Sequence, residues 1–242
     1  MKDWDLRPAR DHGLTHGDRL RSMGRERGLG SLAMGGAWRV MVRLYLRLAH
    51  GFRVEGLERL PPGPFVIVGN HTSHLDALSV AAALPRSLAR QAYALAAGDT
   101  FFSSLPAATF AAYAVNALPV WRKRTTARDL DGMRQRLIED RAVLILFPEG
   151  TRSRTGVMGR FQPGIGALVA GRPVPVVPCY LDGAFACWPA SSRRPSPGRL
   201  RLVIGAPLRF EDTPATRAGM TEVAARCEAA VRALAPGTAA TS

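Results

Sequence analysis

Residues 65–84 read FVIVGNHTSHLDALSVAAAL, and their order decides the fold. The apolar run Phe65–Gly69 has the length and the branched side chains of a buried strand. A polar turn follows, opening on Asn70-His71. From Asp76 the residues favour a helix until Pro85, which cannot continue one. Strand, turn and helix in this order form the unit from which α/β domains are built.

The unit recurs downstream. Residues 143–147 (VLILF) make a second buried strand, preceded by an Arg-rich helical segment at 126–141. Residues 174–181 and 200–204 are further strand candidates, and 222–234 read as a closing helix. The expected fold is an α/β domain over residues 53–235, with a mostly parallel or mixed sheet flanked by helices. A polar arm at 1–30 and an amphipathic helix at 31–52 precede it, and a flexible tail at 236–242 follows.

The helix at 31–50 reads SLAMGGAWRVMVRLYLRLAH. Arg39, Arg43 and Arg47 recur every fourth residue and share one stripe. Three central arginines make a membrane span costly. A helix lying in the membrane interface, with its arginines toward the headgroups, fits the pattern. An ordinary amphipathic helix packed on the domain fits it equally. Residues 100–121 carry no charge over 22 positions, a length that would permit a span. Pro106 and Pro119 interrupt it, and Ser103, Ser104, Thr109 and Asn116 keep it modestly hydrophobic. A buried or membrane-embedded helical hairpin, then a strand at 117–121, is expected there.

Composition narrows the function classes. A chain of 242 residues with 47% hydrophobic and 21% charged residues is not largely disordered. Its net charge of +14, with Lys2 and Lys123 the only lysines, calls for an anionic partner. Nucleic acid and an anionic membrane both satisfy charge alone. No helix-turn-helix, zinc or RNP-type element is present, so nucleic acid is not expected. Cys179, Cys187 and Cys227 form no CxxC pair, so neither a disulfide framework nor a metal site is expected. The first 28 residues lack the apolar core of a secretory signal.

Three stretches carry chemistry. His71 and Asp76 flank the strand-to-helix turn, so the carboxylate can reach one imidazole nitrogen and leave the other to take a proton. Against this stands a plain role for Asp76 as a helix N-cap, and competition from His74. The second stretch, residues 147–154 (FPEGTRSR), also follows a buried strand; Gly150 permits close backbone approach, and Thr151 and Arg152 suit phosphate. The third, residues 120–124 (VWRKR), is a basic cluster at the end of the uncharged stretch, as at a membrane boundary. A serine hydrolase using Ser73 or Ser79 is disfavoured because no G-x-S-x-G elbow occurs.

In combination these blocks resemble the 1-acyl-glycerol-3-phosphate acyltransferase (lysophosphatidic acid acyltransferase) family. The matches are Asn70-His71 with Asp76, then Arg122, then residues 147–153, then residues 174–178 (VPVVP), in the family's order over about residues 54–208. The resemblance implies His71 as general base toward a glycerol hydroxyl, oriented by Asp76. It implies Arg122 with Glu149, Gly150, Thr151 and Arg152 on the acceptor's phosphate, and Pro178 on the acyl-donor side. It implies acyl-CoA or acyl-acyl carrier protein as co-substrate, no metal, and work at the cytoplasmic face of the membrane on a lysophospholipid. The sequence departs from the pattern at Gln162, where a lysine is usual, and at Asn116, where glycine is usual. It departs also at Ala97-Gly98-Asp99, where a Lys-containing turn is usual. These departures leave another lysolipid, such as a lyso-ornithine lipid, open as the acceptor.

Overall fold

The computed structural model describes residues 9–26, 28–120 and 127–237. In chain order the elements are α1 (His16–Arg21), α2 (Leu29–His50), β1 (Arg53–Glu55), β2 (Phe65–Gly69), α3 (Asp76–Ala83), α4 (Arg86–Ala89), β3 (Ala92–Ala97), α5 (Gly98–Phe101), α6 (Leu105–Tyr113), β4 (Ala117–Val120), α7 (Ala127–Ile138), β5 (Val143–Leu146), α8 (Gly164–Val169), β6 (Val176–Asp182), α9 (Ala184–Cys187), β7 (Arg201–Ile204) and α10 (Arg217–Arg232).

The strands form one sheet in the order β1-β7-β6-β2-β5-β3-β4. All five residues of β2 are buried, and it pairs in parallel with β5 on one side and β6 on the other. Among these strands only the β6–β7 pair is antiparallel. The sheet is therefore mixed, flanked by helices as the alternation of elements predicts. Two strands carry no clear signal in the sequence. β1 is only three residues long, and β3 (AYALAA) is rich in alanine, which favours helix. Lying between β5 and β4, β3 is a strand because tertiary pairing outweighs that preference.

Alternation along β2 divides the core. Phe65 and Ile67 face Val42 and Leu46 of α2 and Val80 of α3. Val66 and Val68 face Met133 and Leu137 of α7, Leu168 of α8, and Val223 and Val231 of α10. The uncharged stretch resolves into α5, α6 and β4. Pro106 sits in the first turn of α6, where its missing N–H costs nothing, and Pro119 lies in the edge strand β4. Ala108, Ala111 and Ala112 of α6 pack with Leu20 and Phe102. Among the described residues, no helix is long and apolar enough to cross a membrane.

Residues 9–26, read as part of a polar arm, are tied to the body. Leu20 of α1 is fully buried. The buried Arg25 guanidinium donates to Asn116 Oδ1 at 3.2 Å, and Arg136 of α7 donates to the carbonyls of Met23 and Arg25. Asn116 has φ of 56°, the left-handed conformation that asparagine tolerates best after glycine. The substitution at this position therefore preserves the turn before β4.

Helix α2 turns two of its arginines toward carbonyls of the domain. Arg39 donates to the Ala89 carbonyl at 3.1 Å, and Arg43 donates to the carbonyls of Ala82 and Leu84. Helix α3 ends before Pro85 and leaves carbonyls without intrahelical partners, and Arg43 satisfies them from the neighbouring helix. Large apolar side chains stand outward beside the exposed Arg47. Leu29 is 87% exposed, Leu48 77% and Val40 66%, with Leu44 and Met41 more than half exposed. Trp38 on the flank of α2 meets Phe110 of α6 edge-to-face, with ring centroids 4.8 Å apart.

Candidate active site

The site forms where β2 and β5 end side by side. Two loops emerge there, residues 70–75 and 147–163, and each needs the other for its backbone hydrogen bonds. At the end of β2 the close approach of β6 demands a glycine: a Cβ on Gly69 would lie 2.9 Å from Cys179 Sγ. Asn70 then extends the sheet with its side chain. Its Oδ1 accepts from the Leu181 N–H at 2.8 Å and its Nδ2 donates to the Leu181 carbonyl at 3.0 Å. This amide pins the turn to β6 and aims the next residue, His71, out of the sheet.

The Asp76 side chain is fully buried. Its Oδ2 accepts from the Thr72 N–H at 2.7 Å, the Ser73 N–H at 2.8 Å and His71 Nδ1 at 2.8 Å. An oxygen that accepts two backbone N–H groups is an acceptor, so His71 carries its proton on Nδ1 and keeps the lone pair of Nε2. Asp76 is the first residue of α3 and not its N-cap, and Leu75 caps without a side-chain hydrogen bond. The carboxylate turns back onto the loop and organises that loop around the imidazole. The His71 ring stacks on Phe147, centroids 4.4 Å apart and planes 15° from parallel, which leaves its outer edge toward the open side of the loops.

Both carboxylate oxygens of Glu149 meet the backbone. Its Oε1 accepts from the His71 N–H at 2.6 Å and its Oε2 from the Gly159 N–H at 2.7 Å. Ser153 N–H in turn donates to the His71 carbonyl at 2.7 Å. Through one N–H on each oxygen, Glu149 ties the second loop to the peptide of His71. Burial raises its pKa, and the two N–H donors oppose that rise.

Arg152 reaches the same mouth and lies against His74, its Nη1 2.5 Å from Nδ1 and 2.9 Å from Nε2. Gly150 turns the loop with φ of 76°, and Thr151 is exposed beside it. Pro178 is not brought to this site. It lies in β6 opposite Val68, on the side of the sheet that α10 covers, and its carbonyl accepts from Gly205 N–H. Arg122 lies outside the described residues, as do Trp121, Lys123 and Arg124. The exposed side chain of Gln162 takes no part in the loop clamp. Ser73 is occupied: its buried hydroxyl donates to the Trp188 carbonyl and accepts from Leu75 N–H, and Ser79 is sealed inside α3. Among the described residues, no three His, Cys, Asp or Glu side chains gather as a metal-binding group.

The pinning role of Asn70 and the clamp function of Glu149 escaped sequence reasoning. A buried asparagine at a strand end is the signal that could have pointed to the first. Nothing local distinguishes a carboxylate that clamps from one that binds ligand.

An apolar cleft of about 160 Å³ opens next to the mouth. Trp38, Met41 and Tyr45 of α2, Leu75 and Leu78 around the start of α3, and Trp188 are among its lining residues.

The described geometry agrees with comparisons to known proteins. The model of the family described as Acyltransferase matches residues 51–182, which contain His71, Asp76 and the 147–153 loop. The 1-acyl-sn-glycerol-3-phosphate acyltransferase alpha of Bos taurus is 28% identical over 185 residues, covering 72% of this chain and 62% of that protein. The 1-acyl-sn-glycerol-3-phosphate acyltransferase of Pseudomonas aeruginosa is 27% identical over 165 residues, covering 66% of this chain and 60% of that protein. The chain thus spans about 60% of the length of these curated relatives. The crystal structure of the 1-acyl-sn-glycerophosphate acyltransferase from Thermotoga maritima superposes with a TM-score of 0.64 at 20% identity, covering 86% of this chain and 81% of that one, and shares the fold. Since the family model covers more than half of the sequence and takes in the whole histidine–aspartate turn, this chain belongs to the acyltransferase family.

Proposed function

We propose that the protein transfers an acyl chain from acyl-CoA or acyl-acyl carrier protein to the free hydroxyl of 1-acyl-glycerol-3-phosphate, giving phosphatidic acid. The observation that carries this reading is the 2.8 Å contact from His71 Nδ1 to the fully buried Asp76. It favours the tautomer that leaves Nε2 basic, and the serines nearest in sequence are occupied or sealed. The nucleophile is therefore the substrate's own alcohol. His71 Nε2 takes the hydroxyl proton as the oxygen bonds to the thioester carbonyl carbon. The tetrahedral intermediate then expels the thiolate, which receives the proton from the imidazolium. A thioester is already activated, so the reaction needs no further cofactor. Arg152 faces the same opening and suits the acceptor's phosphate, as the names of the relatives suggest.

The reading places the enzyme on the cytoplasmic face of the membrane. The exposed Leu29, Val40, Leu44 and Leu48 give α2 a largely apolar outer face that also carries Arg47, and Phe101, Leu105 and Phe110 of the α5–α6 region are exposed too. Such a face suits burial to headgroup depth, and the net charge of +14 suits anionic lipids. Both substrates are amphiphiles, and the apolar cleft is lined by Met41 and Tyr45 of α2 together with Leu75 and Trp188 of the histidine's surroundings.

The test is direct. Purified protein is incubated with acyl-CoA and a panel of lysolipids, beside His71→Ala and Asp76→Asn. Wild type should acylate lysophosphatidate, and both variants should lose about 10²–10⁴-fold in kcat. Absence of transfer by wild type, or near-full activity in His71→Ala, would refute the mechanism.

A further inference from the structure

The dyad makes no use of His74, although it lies in the same turn. Its N–H donates to the Trp188 carbonyl at 3.1 Å, and its ring tilts against the Trp188 indole with centroids 5.0 Å apart. The ring is thereby held at the mouth against Arg152, with both ring nitrogens within 2.9 Å of one guanidinium nitrogen. A guanidinium only donates, so a neutral imidazole tolerates this contact better than an imidazolium would. Burial lowers the pKa of His74, and the charge of Arg152 lowers it further. His71 acts in the same direction, while the Ala190 backbone and Asp76 oppose it. Among the described residues, no carboxylate forms an ion pair with Arg152. A cation without a carboxylate partner therefore leans on a neutral imidazole beside the proposed general base.

We propose that His74 is the second arm of the acceptor's phosphate grip, taking up one proton from solvent when Arg152 engages a phosphate monoester, so that the site selects monoesters over phosphodiesters. This rests on the proposed role of Arg152. A dianionic monoester offers an oxygen to each arm and offsets the repulsion between guanidinium and imidazolium. A phosphodiester carries a single charge, which Arg152 alone neutralises, and it leaves His74 neutral. Proton balance is simple: neutral imidazole, one solvent proton and the dianion give an imidazolium that donates to a phosphate oxygen.

Kinetics and calorimetry on the full chain test the proposal. Above pH 7 the phosphate of lysophosphatidate is already a dianion, its second pKa being about 6. Wild-type KM for lysophosphatidate should then rise with pH, toward about tenfold per unit for one proton. His74→Gln should raise KM about tenfold at pH 7, abolish that pH dependence and keep kcat within about twofold. His74→Lys, cationic throughout, should keep the low KM and also lose the pH dependence. Lysophosphatidylglycerol, a phosphodiester, should not distinguish wild type from His74→Gln. Binding of a short-chain lysophosphatidate, titrated in buffers of different ionisation enthalpy at pH 7.5, should take up close to one proton in wild type and none in His74→Gln. An unchanged KM and pH slope in His74→Gln, a fall in kcat with KM unmoved, or no proton uptake by wild type would overturn the proposal. Proton uptake without acyl transfer would instead sink the acyltransferase reading and leave His74 standing. Acyl transfer without His74-dependent uptake would do the reverse.

Discussion

Replacing Glu149 with glutamine separates a clamp from a ligand contact. The carboxylate accepts two backbone N–H groups, from His71 at 2.6 Å and from Gly159 at 2.7 Å. The glutamine amide is isosteric but brings one acceptor and one donor. Glu149→Gln therefore keeps one bond and turns an NH₂ toward the other N–H. A hydrogen bond to a charged group contributes about 1.5–3 kcal/mol, and the N–H left behind costs about 1 kcal/mol more. Relief of the desolvation that raises the Glu149 pKa works the other way. A net loss of about 2 kcal/mol remains, or about 4–8 °C in Tm for a chain of this size. The peptide of His71 loses its anchor at the same time, so kcat should fall about ten- to hundredfold, with KM little changed. Thermal melts and steady-state kinetics on the same preparation read both quantities. A variant with wild-type Tm and a raised KM for the acceptor would refute the clamp and return Glu149 to the substrate.

Other outcomes follow from single features. Gly69→Ala places a Cβ 2.9 Å from Cys179 Sγ and 3.2 Å from the Cys179 carbonyl, and denaturant unfolding should show a loss of about 1–3 kcal/mol. Charging the outer face of α2 with Val40→Glu, Leu44→Glu and Leu48→Glu should leave the melting curve nearly unchanged and weaken co-sedimentation with anionic vesicles; undiminished binding would dismiss that face as the membrane contact. His50 is buried and its pKa is lowered by desolvation. The unfolded chain therefore binds a proton below about pH 6.5 that the folded chain refuses, and stability should fall as pH drops from 7 to 5, by at most about 1.4 kcal/mol per unit from this group. In His50→Gln that part of the slope should disappear from melts recorded over the same range.

Much of the architecture was legible in the chain. Phe65–Gly69 is apolar throughout because a strand paired on both sides and covered on both faces has no polar position to fill. Pro85 announced the end of α3, and residues 147–153 announced a loop after a buried strand. The alanine-rich β3 was illegible because alanine has no strand preference of its own, and its pairing partners are distant in sequence. The arginine stripe of α2 showed its periodicity but not its direction. Charge on a helix face is solvated or satisfied by neighbouring carbonyls, and only the ending of α3 nearby decided for Arg43.

The site divides along the same line. The sequence by itself determined the turn that carries His71 and Asp76, because strand end, spacing and helix start are local and the carboxylate needs no distant partner to reach the ring. Only the tertiary structure decided where Glu149, Arg152 and Pro178 stand and what they touch. Whether a carboxylate clamps a peptide or meets a ligand depends on which N–H groups another loop presents to it, here 78 and 10 residues away. Pairing of β2 with β5 sets those distances and puts two loops, remote in sequence, within hydrogen-bond reach.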